Sequence, residues 1–573
     1  MIQEIIYVFK IKFVMFFLRF IRMPLKRFNN FNSLQVNKRF FTRLLIKIFT
    51  LFLIFLVNFG TASTKTVNHN NLKKITIAYF ADIHAQINDH QEMFWYNNKK
   101  YFTTAGGLSR IAYIVNKLRK ESSGNLLFMD AGDTFQGSGP AALSSGEAII
   151  EPMNSIGLDL ATPGNWEIVY GKQRLMEITD RLNYPLIASN IVDEYTNKLI
   201  FDPYIIKIID GIKIGVIGYT DPDVVERQPP SYSKGLIYRG KDVLQPLINR
   251  MKNDDKVDIV ILLTHIGLPK AVNLAKELHN VDILLSGDTH ERTYEPINIG
   301  NTLVVEPGSF GSFLGRIDMY ISQGKIIDKE WELIELKSND FQKDLNIQNI
   351  VEKALLPYGS EMKNVIGYTN IYLYRYNVVE TNMDAMLADA IREITDTDIA
   401  LSNGFRFSHP ITPGYITEED LWNIYPVVEK LKVGKIYGWQ LRQFWQRELE
   451  NVFSADPDKQ FGGWLPRPSG MKIIFNACAN YENRIESIYV GGKPLVDNEI
   501  YTITACEREG DPEDVLCRIP DVKDSDVLNV TNHEAVKIYL SNNSPINNIK
   551  MGRVIVKDLK TEIRSQYFDI KCQ

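Results

Sequence analysis

Short, almost unbroken apolar runs recur along the first two thirds of the chain. They are Ile75–Ala81, Leu126–Met129, Ile156–Ala161, Val257–Leu263 and Val281–Leu285. Runs of this length are too short for typical helices and read as strands buried on both faces. Between them the spacing turns helical. Gly106-Gly107-Leu108-Ser109-Arg110 opens a helix in which Ile111, Ile114, Val115 and Leu118 share a face, and the block from Phe135 to Leu158 supplies another. Gly211–Gly218 is an apolar run with glycines; it lacks the spacing and following helix of a dinucleotide fingerprint and reads as a core strand. Strands alternating with helices to about Asp340 predict an α/β domain over residues 72–340.

Beyond it the rhythm changes. Ile347, Ile350, Val351, Ala354 and Leu355 keep helical spacing, and Pro357 and Gly359 interrupt it, so residues 341–367 read as a helical linker. A second α/β domain is expected over 368–560. In it, Val379–Asp384 leads into a helix from Ala385 to Ile394, and Asp398–Ser402 forms a strand that opens into the loop Asn403-Gly404-Phe405-Arg406. Thr417 followed three residues on by Asp420 predicts a capping box.

The N-terminus follows neither rhythm. Lys10, Lys12 and Arg19 break the first apolar stretch, and Lys26, Arg27, Lys38, Arg39, Arg43 and Lys47 make a basic flank. Ile48–Val57 is a short apolar run, and small residues follow it up to Ser63. This order reads as a signal peptide over 1–63, cleaved near Ala62 or Ser63, with a periplasmic or secreted product; the alternative is an uncleaved membrane anchor or tether. The 573 residues are 45% hydrophobic and 23% charged with a formal net charge of -4. That balance suits a globular protein and argues against a nucleic-acid partner.

The predicted strand ends carry the chemistry. The runs lead into Asp82-Ile83-His84, Asp130-Ala131-Gly132-Asp133, Gly164-Asn165-Trp166-Glu167, Thr264-His265 and Gly287-Asp288-Thr289-His290. Asp82, His84, Asp133, Asn165, His265, Asp288 and His290 form a set of carboxylates, imidazoles and one amide that suits a pair of divalent cations such as Mn, Zn or Fe. Three of the eight histidines fall in these motifs; the other five read as surface or capping residues.

This series resembles the calcineurin-like metallophosphoesterases, and more narrowly the secreted, two-domain 5'-nucleotidases. The resemblance implies an N-terminal two-sheet sandwich flanked by helices, with metals at the strand ends, and a C-terminal 5'-nucleotidase-like α/β domain. It implies one ion held by Asp82, His84, Asp133 and His290, and a second by Asp133, Asn165, His265 and Asp288, with Asp133 shared. It places Asn403, Gly404 and Arg406 on a substrate-binding loop facing the metals. The implied activity is hydrolysis of a phosphate ester, a nucleotide or related small molecule, by metal-activated water.

Two positions depart from the nucleotidase pattern. Trp166 stands where that family has the histidine that faces the substrate, and Asp288 stands where it has another histidine. A carboxylate at 288 is a harder ligand, which favours Mn. The tryptophan and its neighbours resemble the thiosulfohydrolases of sulfur oxidation (SoxB), which release sulfate from a cysteine S-sulfonate on a carrier protein. Asn165, Trp166 and Asp133 are thus the candidate catalytic residues, with a third reading of an inactive binding protein on the same fold. Nucleotidases stack the base between aromatics, and Tyr425, Phe461 and Trp464 are the candidates here. The even cysteine count, in an exported chain, is compatible with disulfides, Cys506 and Cys517 being the expected pair; the alternative is four free or buried thiols.

Overall fold

A computed structural model describes residues 69, 72–402, 406–461, 463–560 and 562–572. The signal-peptide expectation for 1–63 lies outside these residues, as do Asn403 and Gly404. Among the described residues no helix is long and apolar enough to cross a membrane.

The expected strands form the centre of two sheets. The first has five strands in the order Lys325–Glu335, Phe313–Ser322, Lys73–Phe80, Leu126–Asp130, Leu160–Ala161. The second has six, in the order Ile297–Ile299, Thr302–Val305, Ile283–Leu285, Ile259–His265, Ile212–Thr220, Tyr204–Ile209. Side chains alternate between two buried faces. Ile75, Ile77 and Tyr79 meet Ile214, Val216, Ile261 and Leu263 between the sheets. Ala78, Phe80 and Phe128 point the other way, onto the helices Leu108–Glu121, Glu147–Ser155 and Leu345–Leu355. Ile217, Val260 and Leu262 likewise cover the helices Leu244–Asn253 and Leu268–Glu277. Burial on both faces is why these strands read as continuous apolar runs. The result is the expected two-sheet sandwich flanked by helices.

The central strands run parallel: Lys73–Phe80 beside Leu126–Asp130, and Ile259–His265 beside Ile212–Thr220 and Ile283–Leu285. Their carboxyl ends therefore open on one side, where loops gather side chains into a single site. The strand expected at Ile156–Ala161 is shorter, because Ile156 caps the preceding helix and only Leu160–Ala161 pairs.

The second half builds a five-stranded sheet (Arg467–Ser469, Ile399–Ser402, Ile500–Cys506, Lys430–Tyr437, Lys523–Thr531) and a four-stranded one (Lys493–Pro494, Ile485–Val490, Met471–Phe475, Val554–Val556). Both pack on the helix Gly438–Phe453 through Trp445, Phe444, Ile503 and Phe475. The helix expected from Ala385 begins at Asn382, because the Thr381 hydroxyl accepts from the Asp384 amide. The Thr417–Asp420 capping box forms and starts the helix Glu418–Ile424.

The disulfide differs from the expected pair. Cys478 bonds to Cys572, 94 residues on, and Cys506 and Cys517 are free thiols. The last residues travel back across the molecule and bring Cys572 to Cys478, a long-range approach that cysteine spacing does not encode. Burial pushes the Cys517 thiol up to about 11 and Cys506 well above its ordinary value.

Candidate functional site

Five of the seven predicted ligands sit in abrupt turns beyond their strands, and His265 ends its strand. Asp82, His84, Asp133, Asp288 and His290 all have φ between 47° and 94°, the left-handed region that side chains disfavour. Such strain concentrates where packing forces side chains to converge. The turns also need close backbone approach: a Cβ on Gly164 would stand 2.2 Å from Asp133 Oδ1, and one on Gly132 would stand 2.5 Å from the Gly164 nitrogen.

All seven predicted ligands come together, and all are buried. His290 Nε2 lies 3.1 Å from His84 Nε2 and 3.4 Å from Asp82 Oδ1. His265 Nε2 lies 3.2 Å from Asp133 Oδ2 and 3.9 Å from both Asp82 Oδ1 and Asp288 Oδ1. Asp133 Oδ2 reaches His84 at 3.7 Å as well. Two groups have the spacing of ligands around one ion each: Asp82, His84, His290, and Asp82, Asp133, His265. Asp82 is common to both, and Asp133 faces imidazoles of both.

The donor set fits cations. His265 Nδ1 faces the Ala131 carbonyl oxygen at 2.7 Å and carries a proton, so a neutral His265 turns its Nε2 lone pair to the Asp133 carboxylate. Asn165 shows the same mismatch. Its amide oxygen lies 3.2 Å from Asp133 Oδ2 and Asp288 Oδ1 and 3.1 Å from His265 Nε2, so acceptor faces acceptor. Turning the amide end for end would supply hydrogen bonds there; a cation among these atoms satisfies them as they stand.

The charges agree. Burial lifts the Asp82 carboxyl to about 7, with Asp133 and Asp288 adding repulsion and His265 opposing it. Burial lowers His84 to about 4 and His290 well below its ordinary value, leaving both as neutral lone-pair donors. Burial alone would lower His265, but Asp133, Asp82 and Asp288 outweigh it and draw a proton onto the ring. The negative charge that attracts that proton equally suits a divalent ion.

Outer residues hold the ligands in place, and several were not legible as such in the sequence. Glu167 accepts from the amides of Asp133 (3.0 Å), Thr134 (2.5 Å) and Gly164 (2.5 Å), tying two loops together. Glu306 accepts from Ser286, Thr289 and the Glu291 amide, fixing the loop of Asp288 and His290. Arg227 grips Asp288 with Nη2 at 2.6 Å from Oδ1 and Nη1 at 3.2 Å from Oδ2. No local pattern marks Arg227 or Glu306; only the fold brings them here.

The second half of the chain closes the site. A cavity of about 190 Å³ runs from His84, Asp133, Asn165, Trp166, Asp288 and His290 to Phe461, Trp464, Cys506 and Arg518. Arg406 is buried in its wall. Its Nη1 donates to the Asp288 carbonyl oxygen, Nη2 lies 3.5 Å from Gln566 Oε1, and Nε has no acceptor among the described residues. The Trp166 amide donates to Asp133 Oδ1 at 2.8 Å. The Trp166 indole packs edge-on against Phe407, with ring centres 5.0 Å apart, and Phe407 packs edge-on against His84 at 4.5 Å.

Other expectations change. Tyr425 is not in the cavity wall; it is a core residue whose hydroxyl bonds Ser402 at 2.7 Å, because the helix end at Ile424 turns it inward. Phe461 and Trp464 do line the cavity. His90 and His533 are buried, not surface residues: His90 bonds Ser312 and stacks on His409, and His533 bonds the Tyr425 carbonyl oxygen. The polar partners that make burial tolerable come from distant segments.

Comparison with known proteins gives two family matches. The calcineurin-like phosphoesterase model matches residues 75–292, and the 5'-nucleotidase C-terminal domain model matches residues 360–506. The 5'-nucleotidase of Vibrio cholerae serotype O1 is 25% identical over 512 residues, covering 80% of this chain and 90% of that protein. Among solved structures, the sulfate thiohydrolase SoxB of Thermus thermophilus superposes with a TM-score of 0.77 at 22% identity, covering 86% of this chain and 98% of the other. A 5'-nucleotidase precursor, also from Thermus thermophilus, superposes with 0.73 at 20% identity, covering 84% and 99%. At these identities the structural likeness speaks for the fold.

Proposed function

We propose that this chain, which belongs to the calcineurin-like phosphoesterases carrying a 5'-nucleotidase C-terminal domain and is a metal-dependent hydrolase of that family, cleaves a small phosphate ester, a nucleotide or a related compound, outside the cytoplasm. The observation that carries the site is the convergence of buried ligand atoms: Asp82, His84 and His290, and Asp82, Asp133 and His265, each have the spacing of ligands around one ion, with Asn165 and Asp288 beside His265. Asp82, His84, Asp133 and His290 would hold one divalent ion, and Asp133, Asn165, His265 and Asp288 the other, with Mn favoured by the carboxylate-rich set. Such ions lower the pKa of bound water and offset the charge of a tetrahedral oxyanion.

The chain's own groups do the rest. Arg406 offers its unpartnered Nε, and its Nη atoms, to an oxyanion oxygen. Asn403 and Gly404 precede it on the same loop and are assigned to substrate binding with it. Trp166 and Phe407 wall the reacting end and exclude water. Phe461 and Trp464, farther along the cavity, are the surfaces against which a planar group would lie. Residues 72–340 carry the metals in this reading, 341–367 connect, and 368–560 bind the substrate. The basic flank and apolar run before Ser63 support export.

One observation favours a second reading. Trp166 lines the cavity beside Asp133 and His290 and has no titratable atom with which to protonate a leaving group. A cysteine thiolate, with a reference pKa of about 8.5, leaves without such help, so a SoxB-like release of sulfate from a carrier-protein cysteine S-sulfonate is the alternative. The experiment is a panel of nucleoside monophosphates, a chromogenic phosphodiester and cysteine S-sulfonate with Mn2+, run on the native chain and on Trp166→His. For a phosphate-ester enzyme, Trp166→His raises nucleotide turnover about a hundredfold, the usual contribution of a positioned acid. Cleavage of the S-sulfonate alone, impaired by the same substitution, selects the second reading. No turnover of any of them refutes both.

A further inference from the structure

Arg227 ends the short helix Val224–Arg227, and its side chain is only 11% exposed. Its fork takes both oxygens of Asp288, and Nη1 also holds Asp221 Oδ2 at 2.8 Å. Asp221 has a second cation, Lys270, at 3.1 Å, so Asp221 remains paired without Arg227. Arg406 donates to the main-chain carbonyl of Asp288 and its charge acts on the carboxylate without a direct bond. Arg227 is the cation paired directly with the Asp288 carboxylate. Asp288 is 4% exposed and lies in one pocket with the carboxylates of Asp82 and Asp133. Three buried carboxylates repel one another, and a planar, permanently charged fork both cancels one of them and sets its orientation.

We infer that Arg227 and Asp288 act as one neutral unit at the second ion's place, Arg227 being a positioning residue that makes a carboxylate serve there as an uncharged donor would. The inference rests on the two-ion reading above. It predicts that the worth of Arg227 depends on what stands at position 288. With Asp288 in place, Arg227 orients a ligand. With an imidazole in its place, Arg227 keeps only Asp221, which it shares with Lys270, and the charge that Asp288 had offset faces the metal.

The test is titration calorimetry of MnCl2 into the metal-stripped full chain, for the native protein, Arg227→Gln, Arg227→Lys, Asp288→His and the double variant Asp288→His/Arg227→Gln. Arg227→Gln in the native background weakens the second Mn2+ roughly 10- to 100-fold, the range for losing an outer partner of a metal ligand. Made in the Asp288→His background, the same change strengthens binding. A loss of similar size in both backgrounds overturns the inference. Arg227→Lys keeps the charge without the fork and loses less than Arg227→Gln; equal losses overturn the inference even if Asp288→His does not fold. A native chain that binds fewer than two ions overturns the two-ion reading itself, and the inference with it.

Discussion

The last described residues form a strap, and cutting its anchor gives a quantitative prediction. Asp558 accepts from the amides of Ala477 and Cys478 at 2.8 Å, Ile563 is buried in the second half, and Cys572 bonds to Cys478. Between these points the strap crosses to the first half. Gln566 donates its amide to Glu291 at 2.7 Å and meets Arg406 through Oε1, and Tyr567 and Phe568 pack on the outer face of the six-stranded sheet. The perturbation is Cys478→Ser with Cys572→Ser. A sequence separation of 94 residues makes the closed loop worth about 4.7 kcal/mol by the chain-entropy relation, an upper value since unfolded chains keep some structure. For a unit of 150–250 residues, each kcal/mol shifts Tm by about 2–4 °C, so a fall on the order of 10 °C is expected in the second half. Scanning calorimetry under non-reducing conditions measures it. Dithiothreitol on the native chain should reproduce the fall, and kcat/KM should drop because Gln566 steadies Arg406. A double variant within about 1 °C of the native protein would show that the crosslink restrains nothing the packing of Ile563, Tyr567 and Phe568 does not already hold.

Four further outcomes are expected. Glu167→Ala strands three buried amides, at about 1–3 kcal/mol each before water enters, so chemical denaturation should show a loss of at least about 3 kcal/mol; a loss under 1 kcal/mol would contradict the role given to it. Asp133→Asn should remove activity and most of the bound metal by elemental analysis, because Asp133 faces imidazoles of both groups. Arg406→Ala should lower kcat/KM about tenfold or more on whichever substrate is cleaved, the cost of one charged hydrogen bond, with little change in Tm. With Cys517 at about 11 and Cys506 also raised, their thiolate fractions at pH 8 are small, so alkylation should run about a hundredfold slower than at an ordinary cysteine with a pKa near 8.5; two fast-reacting thiols in the native chain would refute the burial argument.

Much of this protein is written locally. Period-two burial on both faces of a parallel sheet leaves unbroken apolar runs such as Ile75–Ala81 and Val257–Leu263, and a parallel strand must end in a loop on the same side as its neighbours. The polar residues just after each run were therefore legible as one site, and the Thr417 cap and the helix at Leu108 were legible from capping and spacing. What the tertiary structure alone decided is long-range. Asp82 meets the Asp288 amide across 206 residues, Arg227 meets Asp288 across 61, and Cys478 meets Cys572 across 94. No periodicity records such meetings, because each depends on the sum of every turn between the partners. For the same reason the free Cys506 and Cys517, the buried His90 and His533, and the core position of Tyr425 could not be read along the chain. A residue's burial is set by what arrives opposite it, and its neighbours in sequence do not carry that information.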